Sequence, residues 1–184
     1  MQFQQRQENA FALSELIVVI LILAILAGVL VPRVTDRMAV SRDAKRLSEV
    51  RVMRDAIDQY FLDKGAYPPA TVSELGNGYD VSTDGDFIPE LVRTGYLRGP
   101  VKDPINDATC YYGYNVFNEG ANGCKGKSKY YVLGIKRFET AGFAAAHPGY
   151  FKCAQKDWSE DFEYVTGGSG SQPDPKMAGT PAAR

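Results

Sequence analysis

Sixteen consecutive residues, Leu16 to Val31, carry neither a charge nor a polar side chain (LIVVILILAILAGVLV). With Phe11 to Glu15 added, the stretch reaches 21 residues. As a helix that is about 31 Å, one bilayer core. A cleaved secretory signal has a shorter apolar region and closes on a small-residue site. Here Pro32-Arg33-Val34-Thr35 follows instead. The run therefore reads as a retained membrane helix. Its anomaly is Glu15, a carboxylate inside the N-terminal end of the span. At membrane depth such a group is costly and is usually paired or functional, whereas at the interface a first-turn acid is favoured by the helix dipole. Both readings of Glu15 stand on sequence alone.

Beyond Pro32, Met38, Ala44, Leu47, Val50, Ile57 and Phe61 recur mostly at helical spacing, and Arg42, Lys45, Arg46, Glu49, Arg51 and Asp55 fall on the other faces. This is an amphipathic continuation with one apolar stripe. Lys64-Gly65 ends it, and Pro68-Pro69 bars its extension. A helix from Ala12 to Asp63 has 52 residues, about 78 Å. Half would lie in lipid or a filament core, and half would pack on a head.

The segment Ala10-Phe11-Ala12-Leu13-Ser14-Glu15-Leu16, followed by the apolar run and Pro32, resembles the class III signal of type IV pilins and pseudopilins. The resemblance implies a leader of residues 1–10, removed by a prepilin peptidase between Ala10 and Phe11, with the new Phe11 amine methylated. It makes Glu15 the assembly glutamate that pairs with a neighbouring subunit's amine, and Pro32 the helix-kinking proline. Ala10 stands where the family almost always has Gly, and Ser14 replaces an aliphatic residue. The charges do not orient the span. Arg6 and Glu8 cancel in the leader, while Arg33 to Arg46 holds five basic residues against two Asp. An inner-membrane topology with the head in the periplasm or exterior is thus implied by the resemblance, not by the positive-inside rule. Tyr60 to Pro69 (YFLDKGAYPP) and Gly95-Tyr96-Leu97 with Pro100, Asp103 and Pro104 are similar to segments of the major pseudopilins of type II secretion, the general secretion pathway protein G family.

The expected fold class is α+β and type IV pilin-like: a long N-terminal helix packed on a small antiparallel β-sheet head. The divisions are a leader (1–10), a transmembrane or filament-core helix (11–32), an amphipathic helix (33–64), a head (65–166) and a disordered tail (167–184). In the head, a short helix is expected around Ile88 to Thr94 and strands over Thr109–Phe117 and Lys129–Phe138. Asn118–Lys127 connects the two strands, and a third strand is placed near Tyr150 or Phe162–Val165. The tail is Gly, Ser, Pro and Ala with almost no apolar bulk.

Candidate chemistry is sparse. Asp80, Ser82, Asp84, Gly85 and Asp86 have the spacing of the first half of a calcium loop, but Leu91 stands where a closing glutamate should be. Calcium at Asp80, Ser82, Asp84 and Asp86 is weighed against a plain solvated loop. Three cysteines, Cys110, Cys124 and Cys153, allow three single bridges. Pilins often close a C-terminal region with a disulfide, so the resemblance favours Cys124–Cys153. Lys125, Lys127, Lys129, Lys136 and Arg137 with Tyr130, Tyr131 and Phe138 form a basic, aromatic stretch of the kind that holds single strands. A solvated hairpin with packed tyrosines is the preferred reading. The near-neutral total of 21 Lys+Arg and 22 Asp+Glu also argues against a nucleic-acid partner. There is no Gly-rich phosphate loop, HExxH or GxSxG, and His147 before Pro148 is the one imidazole, so no enzyme is expected.

The functional expectation is a type II secretion pseudopilus subunit, assembling with itself, an inner-membrane platform, minor pseudopilins and membrane lipid after processing. The alternatives are a type IV pilus subunit for adhesion, motility or DNA uptake, or a membrane-tethered binding domain that never polymerises.

Overall fold

The structure is a computed structural model that describes residues 13–71, 78–124 and 128–169. The chain divides into two units between Ala39 and Val40, and helix α1 (Leu13–Lys64) contributes to both. In the first unit, α1 exposes Leu16 to Leu23, Ile25, Leu26, Leu30, Val31 and Val34. It is long and apolar enough to cross a membrane by length and composition, and it continues through Pro32 without a break.

In the second unit, α1 buries Leu47, Val50, Met53, Ala56, Ile57 and Tyr60 at three- and four-residue steps. The stripe differs from the sequence reading at four residues. Met38 and Ala44 are exposed, Phe61 is half-buried, and Arg46, expected on an outer face, is fully buried together with Asp43. The helix stops where the Gly65 amide returns to the Phe61 carbonyl at 2.8 Å.

After α1 come β1 (Asp80–Val81), α2 (Pro89–Arg93), β2 (Tyr112–Phe117), β3 (Tyr130–Ile135), α3 (Ala141–Ala146) and β4 (Tyr164–Ser169). The four strands form one antiparallel sheet in the order β1-β2-β3-β4. This is the expected α+β, pilin-like arrangement of a long helix and a small sheet. Because strand side chains alternate between faces, Tyr112, Tyr114, Tyr131, Leu133 and Ile135 turn to the face where Val50, Met53, Ile57 and Leu91 pack. Tyr130, Val132 and Val165 turn the other way, onto Phe151, Trp158 and Phe162. β3 is consequently buried at every position.

Phe162 packs closely on the sheet over Gly134 of β3, where any Cβ would clash with the Phe162 ring. The expected disordered tail is corrected at its start. Gly167, Gly168 and Ser169 belong to β4 and pair with Val132, Tyr131 and Tyr130. A bare backbone is required there: a Cβ on Gly167 would sit 2.5 Å from the Tyr131 carbonyl oxygen and 2.6 Å from the Phe151 ring. Residues 170–184 lie outside the described part. The two-residue β1 and the helix α3 were not expected from sequence.

Candidate functional site

Two regions carry the candidate residues: the start of α1, and the surface along which α1 meets the head. Ala10 and Phe11, the expected processing pair, lie outside the described residues. Glu15 stands in the first turn of α1, exposed among Leu13, Leu16, Ile17 and Val18. No cation among the described residues pairs with it. Among the described residues the carboxylate is thus presented without a partner on an apolar helix.

Further along α1, Arg46 is the centre of a buried ion cluster. Its Nε and Nη2 fork onto the Asp103 carboxylate at 2.6 and 2.9 Å, and Nη1 reaches Asp43 and Glu139, each at 2.7 Å. Arg42 adds a second guanidinium on Glu139, with Nε at 2.8 Å. The remaining carboxylate capacity is used by backbone: Asp43 accepts from the amides of Glu139 and Thr140 and from the Thr140 hydroxyl, and Asp103 from the amides of Ile105 and Asn106. Burial opposes the Arg46 charge, but the bonds to Asp103, Glu139 and Asp43 outweigh it and raise its pKa above the usual arginine value. Glu139 is held below the ordinary carboxylate range by its bond to Arg42 first, then to Arg46. A buried charge set of this kind is tolerable only because every member is hydrogen-bonded.

Below this cluster, three α1 carboxylates accept hydrogen bonds from head tyrosines. Tyr112 donates to Glu49 at 2.6 Å, Tyr131 to Asp58 at 3.1 Å and Tyr96 to Asp63 at 2.6 Å. Each tyrosine has a polar tip that reaches the helix and an apolar ring that fills the sheet–helix layer. Sequence reasoning placed Glu49 on a face away from the apolar stripe and did not single out Asp58 or Asp63 as partners. The hydroxyls that take them up come from residues 33 to 73 positions away, and periodicity cannot signal such pairs.

The calcium-loop residues are not gathered. Asp80 is buried and accepts from the amides of Thr71 and Ile88, both at 3.1 Å, leaving Oδ1 without a partner among the described residues. Ser82 is buried and accepts from the Tyr112 amide at 3.0 Å while donating to Asn106 at 2.8 Å. Asp84 and Asp86 are exposed. Among the described residues no group of three or more His, Cys, Asp or Glu side chains could hold a metal ion. Asp80 instead accepts from the amide of Ile88, which adopts a left-handed conformation (φ 44°) at the entrance to α2. Burial, against the two amide bonds, pushes the Asp80 carboxyl up to about 6.

Cys124 and Cys153 are joined by a disulfide, Cα–Cα 4.9 Å, and Cys110 is a buried free thiol. The basic, aromatic stretch does not form a stacking platform, because Tyr130, Tyr131 and Phe138 are buried. Lys136 donates to the Asp161 carbonyl at 2.8 Å and Arg137 pairs with Glu163 at 3.6 Å. Lys125 and Lys127 lie outside the described residues.

No family model and no solved structure matches the chain. Curated relatives do. The chain is 30% identical over 131 residues to type II secretion system core protein G of Pseudomonas aeruginosa, covering 68% of this chain and 92% of that protein. It is 28% identical over 130 residues to the protein of the same name from Vibrio cholerae, covering 67% and 87%. The Escherichia coli protein of that name is 26% identical over 121 residues, covering 64% and 77%. With the apolar helix and antiparallel sheet already described, these matches place the chain in the type II secretion system core protein G family, the major pseudopilins.

Proposed function

We propose that the chain is the structural, non-enzymatic subunit of a type II secretion pseudopilus. The leader of residues 1–10 is removed by a prepilin peptidase, Phe11 becomes the methylated N-terminus, and α1 waits in the inner membrane with the head in the periplasm. Subunits then leave the bilayer through an assembly platform and join a helical filament with minor pseudopilins. The observation that carries this reading is the match across nearly the whole length of the Pseudomonas aeruginosa protein, combined with Glu15 standing on an apolar helix with no partner among the described residues.

The physics of Glu15 explains why one carboxylate can set assembly. In lipid it is a liability. Beside the positively charged Phe11 amine of another subunit it becomes a satisfied pair, and only one axial register satisfies it. A polar group in an apolar interface specifies alignment in this way at some cost in stability. The test is Glu15→Ala in cells that carry the rest of the secretion apparatus. Membrane insertion should persist and filament incorporation should be lost; undiminished incorporation would contradict the role.

A further inference from the structure

Arg33 and Arg37 stand just past the apolar run, exposed, and neither forms an ion pair or hydrogen bond among the described residues. The next three basic residues behave differently. Arg42 pairs with Glu139, Lys45 with Glu49, and Arg46 with Asp43, Asp103 and Glu139. Asp36, the one acid nearby in sequence, is also exposed and pairs with neither arginine. Two guanidinium groups without a partner among the described residues, so close to a membrane-length apolar segment, are free to engage an external anion.

Their spacing says which. Four residues apart on a helix, the two side chains share a face and lie about 6 Å from one another. Arg33 is about 3 Å and Arg37 about 9 Å along the axis beyond Val31. A headgroup layer about 5–8 Å thick flanks the hydrocarbon core, so the pair brackets the phosphates of that leaflet. Arginine stems bury along apolar surface while the planar fork engages phosphate oxygens in two parallel bonds.

We infer that Arg33 and Arg37 form a binding site for anionic phospholipid headgroups in the leaflet on the C-terminal side of the span, fixing the depth of α1 before assembly. The inference rests on the membrane reading under Proposed function. Asp36 opposes it and tunes it, leaving residues 33–37 with one net positive charge rather than two.

The test uses the full chain in phosphatidylcholine vesicles containing trace spin-labelled phosphatidylglycerol or phosphatidylcholine. The immobilised fraction of each label is read by electron paramagnetic resonance. The unsubstituted chain should prefer phosphatidylglycerol by about three- to five-fold, and the preference should shrink at high salt. R33Q/R37Q should bring the ratio close to one, while D36N should raise it. Equal immobilisation of the two labels by the unsubstituted chain, or a preference kept by R33Q/R37Q, would overturn the lipid site alone. Failure of the chain to float with vesicles of either composition would overturn the membrane span, and the lipid site with it.

Discussion

Arg46 of α1 and Asp103 of the loop before β2 are joined by a two-bonded fork, at 2.6 and 2.9 Å, with both side chains fully buried. The helix and the head are thereby keyed together at a single register. Sliding α1 by one residue would carry Arg46 away from Asp103 and Glu139, and Asp43 away from the Glu139 and Thr140 amides, leaving buried charges without partners.

Arg46→Met should therefore destabilise the head strongly. Asp43 and Asp103 would remain buried and uncompensated, a loss of about 3–5 kcal/mol. Denaturant unfolding of the full chain in detergent, followed by near-ultraviolet circular dichroism of the tyrosines and Trp158, measures it. A shift under about 1 kcal/mol would mean that the cluster is not coupled to folding.

Two acids should give opposite pH signatures. Glu139 has a depressed pKa, so its contribution is complete above the unfolded value and is lost as pH falls through the folded one. The melting-temperature gap between the unsubstituted chain and Glu139→Gln should be widest near neutrality and should close in acid.

Asp80 runs the other way. Its carboxyl is raised from 3.8 to about 6. Its contribution is complete below the unfolded value and disappears as pH rises through the folded one, about 3 kcal/mol across the window. Asp80→Asn keeps an acceptor for the Thr71 and Ile88 amides and removes the charge. It should melt higher than the unsubstituted chain at pH 8, and that advantage should vanish near pH 4. A pH-independent difference would show that the Asp80 charge is compensated in the fold.

The disulfide closes a separation of 29 residues. Loop-closure entropy gives it about 3–4 kcal/mol. Cys124→Ala/Cys153→Ala, and the unsubstituted chain in reductant, should lose similar amounts in thermal melts, whereas Cys110→Ala should leave the response to reductant unchanged.

Much of the architecture was legible because its signals are local. The apolar run, the stop at Lys64-Gly65, and the aromatic and β-branched richness of Tyr112–Phe117 and Tyr130–Ile135 depend on near neighbours. What escaped depends on distant ones. Arg46 reads as surface charge until Asp103 and Glu139, 57 and 93 residues away, are brought beside it. Gly167 and Gly168 read as a disordered start to the tail, yet the β3 edge and the Phe151 ring require residues without side chains there. Asp80 and Ser82 have ligand spacing in sequence, but Asp80 in the two-residue β1 and Ser82 just after it both accept from backbone amides in the interior. The proposed processing pair, Ala10 and Phe11, rests on the resemblance alone.

That pair is also where the central proposal is most directly measured. Intact mass and N-terminal peptide mapping of the membrane-extracted chain, after co-expression with a prepilin peptidase, would read the mature terminus. A chain that begins with N-methylated Phe11 is expected. A chain that still begins at Met1 would contradict processing at Ala10 and, with it, the filament-forming role of Glu15.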